Sequence, residues 1–473
     1  MQSRPAENGN KATGSQPLNI SDDAALAAEK AELTRLESAG RLKRWRGYFR
    51  MTGPGWMQSA ITLGSGSAMA SLFAGAYLQY DLLWVQPLAM LLGVIMLSAV
   101  SHQTLNTGAR PFQAMKTYVH PAVAWAWLLA TLGGTVIWHL PQYALAAGMT
   151  EDMIKAATGF EPSSGIQTII LLALGLLFLI VSTLFTWSYG TGHRGVRLYE
   201  KTLKSLVWMV IFAFLVVVIR RAADGGIEWA KVFKGMLPLK LPTDSKGVSV
   251  VMAAFAGAVG INMTFIFPYS LLARRWGKEH HGLARFDLIT GMLIPYSIAT
   301  TLMIIATGCT IYSPDLFASG STMLAPSKAA MMIESAGLGT FISRIIFGLG
   351  ILGMALSTIS VQMLVCGFAG CAMFGVEPTG WRYRLACLIP APAMVGVILW
   401  KHMGPWIAVP TTAICGTLLP IAYIAFFVLN NSKKYLGDAR PAGVKALVWN
   451  GAMLIAILVS LTSVGYFLFT RIF

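Results

Sequence analysis

Carboxylates are scarce in this chain and unevenly placed. Its 473 residues hold 20 Asp and Glu against 36 Lys and Arg, for a net charge of +16. Each acid falls in the N-terminal tail, a loop or a helix end. Asp81, Glu200 and Asp287 lie nearest to apolar segments, each at a boundary. The apolar segments therefore lack the carboxylate cage that hard divalent cations usually want. Cysteine is equally sparse. The five, at 309, 366, 371, 387 and 415, fall within apolar segments. Cys366 and Cys371 are not spaced CxxC, and none has metal-ligand spacing with histidine, so they read as small helix-packing residues. No nucleophile, base and orienting group form a catalytic pattern, which excludes an enzyme. Charged residues make up only 12%, about half the share of a soluble domain. The first apolar run lies beyond residue 50, so no cleavable signal peptide is expected.

Apolar sequence is what remains. Hydrophobic residues are 55% of the chain, and about eleven runs approach the length that spans a bilayer. They lie near 54–78, 82–105, 122–149, 166–188, 202–219, 249–273, 288–311, 340–374, 383–400, 406–430 and 445–469. An all-α integral membrane protein with about eleven transmembrane helices follows, multi-pass and expected in the cell membrane. The excess of cations then reflects the positive-inside rule rather than nucleic-acid binding. Placing the N-terminus in the cytoplasm puts Arg110, Arg194, Arg197, Arg274, Arg275, Arg285, Arg440 and Lys445 on cytoplasmic connections. The 220–246 loop runs against the rule with six cations, but it is long and also carries Asp224, Glu228 and Asp244. Residues 1–20 are polar and expected to be disordered. Ser21-Asp22-Asp23 is a candidate N-cap before a helical run at 24–39. The basic, aromatic stretch at 41–50 suits anionic headgroups.

Two apolar runs are interrupted. In the first, Leu63-Gly64-Ser65-Gly66-Ser67 puts two glycines and two serines at mid-membrane depth, where lipid offers no substitute hydrogen bonds. In the sixth, Gly257, Gly260, Asn262 and Thr264 interrupt the run before Pro268. Breaks five spans apart suggest two inverted five-helix halves with a site between them. The candidate substrate residues are Gly64, Ser65, Gly66, Ser67, Asn262, Met263, Thr264 and Thr412, which follows Pro410 and Thr411. Packing by small residues is the competing explanation for the first group. Freed amides at Gly64–Ser67 would favour an anionic group. His139, the only histidine inside a span, is a candidate proton relay with Tyr269 and Arg384, and Gln142 lies one turn along its face. A neutral histidine bonded to a neighbouring helix is the alternative. Ser357, Thr358, Ser360 and Gln362 form a polar patch in the eighth span.

Several stretches carry a resemblance over most of residues 50–470. They are Gly53-Pro54-Gly55-Trp56, Arg197-Leu198-Tyr199-Glu200-Lys201, Gly367-Phe368-Ala369-Gly370, Arg384 to Ala391, and Leu419-Pro420 through to Gly437. In order and spacing the chain resembles Nramp-type metal transporters of the leucine-transporter fold. That resemblance implies a 5+5 inverted repeat with broken helices 1 and 6: about 51–221, about 247–430, and an extra helix at about 445–469. It also implies secondary transport of divalent metal cations by alternating access. The family's D-P-G-N reads Gly64-Ser65-Gly66-Ser67 here, and its M-P-H reads Asn262-Met263-Thr264. The proton-coupling acids of its third span correspond to His139 and Gln142, and its later span-six histidine to Tyr269; Arg384 is retained. Sodium-coupled members of this fold bind Na⁺ near the positions of Ser357 and Thr358. A naked divalent ion among neutral ligands is poorly compensated, whereas a hydrated one held through its waters is weakly bound. Three readings stay open: a divalent metal transporter, a carrier of a small carboxylate or amino acid, and a non-transporting receptor. The partners expected are the lipid bilayer and a small transported substrate, with no nucleic acid and no resident cofactor; the metal ligands and the oligomeric state are left open.

Overall fold

No strand forms among the residues described by the computed structural model, which are 20–238, 240–313, 315, 324–403 and 408–472. Most of the tail expected to be disordered lies outside them. Residues up to 47 make one unit and 48–473 another. The first holds the helix Ile20–Glu37 and the opening turns of Arg41–Met51. The described helix, Ile20–Glu37, already includes Ser21-Asp22-Asp23, so these residues lie inside it rather than cap it from before.

The second unit carries the spans. Among the described residues, eight helices are each long and apolar enough to cross a membrane, and two bent pairs bring the number to ten. Span 1 is the first bent pair, Pro54–Thr62 and Ser65–Leu78, which meet at 58°. Span 2 is Val85–Thr107, span 3 Pro121–Thr158, span 4 Ser164–Ser188 and span 5 His193–Ala223. Span 6 consists of Ser245–Ala258 and Ile261–Ala273, each too short to cross alone; joined, they complete eleven. Span 7 runs Lys278–Gly308, span 8 Phe341–Met373 and span 9 Gly380–Leu399. Span 10, Ala408–Asn431, turns into a short helix at its end, and span 11 is Gly443–Ile472. Span 8 is the most buried of these helices, with 83% of its apolar window buried, whereas span 11 is the least, with 17%.

Two expectations about acids change. Glu151 and Asp152 lie within the last turns of span 3, not in a loop, and both are buried. Asp152 accepts from Arg344 Nε at 3.1 Å, and Glu151 pairs with Lys155 at 3.0 Å, so the helix continues without stranding charge. Asp287 sits inside span 7 rather than at its edge, and it is fully buried.

Candidate functional site

Span 1 begins with Gly53-Pro54-Gly55. Proline at the first helical position supplies a fixed φ and no N–H that would need a partner. The N–H groups on either side go to one carboxyl group: Gly53 donates to Asp287 Oδ1 at 3.1 Å and Gly55 to Asp287 Oδ2 at 2.7 Å. A cap normally comes from the preceding residue; here span 7 provides it. Both glycines are required by close approach, because a Cβ at Gly53 would overlap the Glu200 carboxylate and one at Gly55 the Asp287 carbonyl. Arg274, also buried, lies 3.8 Å from Glu200 and donates to Met51 O at 2.8 Å. Lys204 sits over the rings of Phe49 and Trp56 and donates to Phe49 O. The half-helix Pro54–Thr62 is therefore seated at its start by spans 5 and 7, and every residue in it is buried.

The helix breaks at Leu63-Gly64. Gly64 is extended, with φ −128° and ψ −166°, a conformation any residue adopts. Its N–H bonds to Ser67 Oγ at 3.2 Å, and Ser67 Oγ donates to the freed Thr62 carbonyl at 2.6 Å. Gln142 of span 3 reads the next residue twice. Its Oε1 accepts from Ser65 N at 3.0 Å, and its Nε2 donates to Ser65 Oγ at 2.8 Å. The carbonyls on the other side of the break go to span 8. Thr358 Oγ1 donates toward Ala60 O at 3.0 Å and Leu63 O at 3.2 Å, and Ser357 Oγ lies 3.1 Å from Ala60 O. Both hydroxyls also reach Met354 O, at 2.8 and 3.0 Å. Unwound backbone at this depth is tolerated where it is buried in protein, and here Gly64 N, Ser65 N and the carbonyls of Ala60, Thr62 and Leu63 each have a polar partner.

The break of span 6 at Val259-Gly260 faces that of span 1. Thr62 Oγ1 lies 3.4 Å from Ala258 O and 2.9 Å from Met263 Sδ, and Gly260 N donates to the same sulfur at 3.3 Å. Met263 thus caps its own half-helix. Asn262 Oδ1 accepts from Met263 N at 2.9 Å, and Thr264 Oγ1 accepts from Trp127 Nε1 at 3.1 Å. Gly64, Ser65, Gly66, Ser67, Asn262, Met263 and Thr264 are all buried. Thr62 joins the two breaks through Ala258 and Met263, whereas Asn262 bonds within its own half-helix and Thr264 bonds span 3. The backbone of Thr412 belongs to span 10, and its side chain lies outside the described residues.

The span 8 patch divides around its helix. Ser357 and Thr358 face span 1. Ser360 bonds Tyr199 and Thr186, and Gln362 accepts from His139 Nδ1 at 2.7 Å. A rotation of about 100° per residue accounts for that split. His139 is fully buried and packs edge-on against Tyr143. Tyr269 lies between Phe265 and Phe368, while Arg384 is exposed over Trp187. Neither shares a hydrogen bond or ring contact with His139 among the described residues, so the relay of the three is not continuous. Among the described residues no three His, Cys, Asp or Glu side chains gather to hold a metal. Sequence reasoning missed Asp287 as a cap and passed over Gln58. The Gln58 amide is fully buried, and neither end is hydrogen-bonded among the described residues. It is the one side-chain amide in the half-helix Pro54–Thr62, whose other polar residues are Ser59 and Thr62 with their hydroxyls, and that is the signal that marks it.

Comparison with known proteins bears on this arrangement. The family described as natural resistance-associated macrophage protein-like (Nramp) matches residues 55–466. The divalent metal cation transporter MntH of Klebsiella pneumoniae is 23% identical, covering 90% of this chain and 96% of its own length. A manganese transporter of Eremococcus coleocola superposes with a TM-score of 0.69 at 15% identity, over 90% of this chain and 88% of that one. MhsT, solved with L-phenylalanine, superposes at 0.59 and 16% identity, over 90% and 99%. The fold is that of these leucine-transporter-like carriers, with spans 1 and 6 broken.

Proposed function

Because this chain belongs to the Nramp family, we propose that it is a secondary transporter that carries divalent metal cations by alternating access. The family match across the whole membrane unit carries this reading. The two facing helix breaks support a site at Gly64–Ser67 and Asn262–Thr264, with Gln58 lining the path. Such a site offers the cation carbonyl, hydroxyl and amide oxygens and one thioether, with no carboxylate. The cargo is therefore a partly hydrated ion such as magnesium or manganese, held weakly. In the described arrangement the site is closed on both sides: Ser65, Asn262, Met263 and Thr264 are all at most 1% exposed. Opening toward the cytoplasm requires the half-helix Pro54–Thr62 to leave Asp287. The oxygens of Ala60, Leu63, Met354, Ser357 and Thr358 support a place for a coupling cation, which would displace the hydroxyl-to-carbonyl bonds made there. Two five-helix halves, about 51–221 and 247–430, move against each other in this account. The basic loops support a cytoplasmic N-terminus and residence in the cell membrane.

One observation favours a second reading. Gln142 Oε1 occupies the amide of Ser65 at the start of a half-helix, where a carboxylate oxygen of an organic solute would sit. Calorimetry separates the two. The metal reading expects saturable heat from Mn²⁺ and Mg²⁺ that Asn262→Ala abolishes. Silence for metals, with heat from amino or organic acids lost in Gly66→Ala, would replace it with the second.

A further inference from the structure

We propose that a groove between the end of span 2, the start of span 7 and the start of span 11 binds the headgroup of an anionic phospholipid. The groove encloses about 880 Å³. Three cations from separate parts of the chain line its mouth: Arg285, Arg440 and Lys445. None of them is ion-paired among the described residues, and no Asp or Glu lines the groove. Asp438 is on the same exposed turn as Arg440 but does not reach the lining. Three unneutralised cations attract a phosphodiester, and the absence of a lining acid leaves nothing for a choline or ethanolamine ammonium.

Ser98 and His102 apart, the rest of the groove is lined by apolar residues and Trp449. Val94 and Ile95 of span 2 face Val448 and Ala452 of span 11 across it. Val444 and Val448 of span 11 are 77% and 66% exposed, the apolar exposure that a lipid-facing wall requires. From Lys445 to Ala452 the wall runs about 10 Å along the helix. A basic mouth that opens onto an apolar, membrane-facing wall matches a phosphate joined to an acyl chain. A free phosphate would use only the mouth.

The mouth is also built rather than incidental. His102 Nε2 donates to Ala439 O at 2.8 Å, and its Nδ1 accepts from Asn106 Nδ2 at 3.1 Å. Its ring lies against Trp449 at 5.2 Å and His281 at 5.3 Å. The turn that carries Arg440 is thus pinned to span 2, and Trp449 sits beside it as an interfacial anchor.

The test uses the purified full-length chain and native mass spectrometry, with short-chain phosphatidylglycerol, short-chain phosphatidylcholine, glycerol phosphate and inorganic phosphate as probes. Phosphatidylglycerol is expected to fill one site at least tenfold more tightly than phosphatidylcholine. In R440Q/K445Q that affinity falls about thirtyfold, since each basic group contributes about fivefold. K231Q/K234Q, on another loop, leaves it unchanged. Equal binding of the two lipids, or full retention in R440Q/K445Q, overturns the proposal. Inorganic phosphate or glycerol phosphate competing as well as the lipid would assign the site to a free phosphate and overturn it too. An unchanged melting temperature of R440Q/K445Q in phosphatidylcholine shows that any loss is not misfolding.

Discussion

A methyl group added at Gly64 would meet Thr358 Oγ1 at 2.8 Å and Gln142 Oε1 at 3.2 Å. The backbone there tolerates alanine, so the cost of Gly64→Ala is steric crowding of about 1–3 kcal/mol. We expect it to lower uptake into liposomes at least tenfold while the protein still purifies folded. Gln142→Leu removes both partners of Ser65 and strands a buried N–H and hydroxyl. That loss is about 1–3 kcal/mol for each group and should lower the melting temperature by several degrees. Gln58→Leu should act in the opposite direction on stability. Its amide is buried without a hydrogen bond among the described residues, so an apolar replacement leaves the melting temperature equal or higher. Uptake should fall if Gln58 lines the path; a variant with higher stability and unchanged uptake would remove Gln58 from it.

The half-helix Pro54–Thr62 is the element on which gating depends. Asp287 holds its first two free N–H groups, so Asp287→Asn replaces one acceptor with an amide that faces a donor. The expected result is faster labelling of a cysteine placed at Ser59 by an impermeant thiol reagent from the cytoplasmic side. Unchanged labelling would show that Asp287 does not control this half-helix. The break itself was legible in the sequence, because Gly64-Ser65-Gly66-Ser67 interrupts an apolar run, although packing by small residues competed as an explanation. The latch was not legible, since Gly53 and Asp287 are 234 positions apart and only the fold joins them. The same reason hid the pairing of Gln142 with Ser65. Met263 was legible as a candidate ligand, but its sulfur caps Gly260 and Thr62, a role that depends on the geometry of the break.

At the scale of the molecule, this Nramp-family chain lines the breaks of spans 1 and 6 with neutral groups, while buried Asp287, Glu200 and Arg274 gather at the start of span 1. Eleven spans and their order followed from hydropathy. The placement of the acids did not, because a paired or capped carboxyl group can lie inside a helix where composition alone would put it in a loop. With no carboxylate at the centre, a divalent cation gains little compensation for lost hydration, and a dissociation constant of about 10⁻⁴–10⁻³ M is expected. The decisive measurement is flux. Purified protein in liposomes should take up Mn²⁺ or Mg²⁺ saturably in that range, and Asn262→Ala should abolish the uptake without unfolding the protein. Liposomes that stay impermeable to both metals while accumulating a small carboxylate would contradict the account.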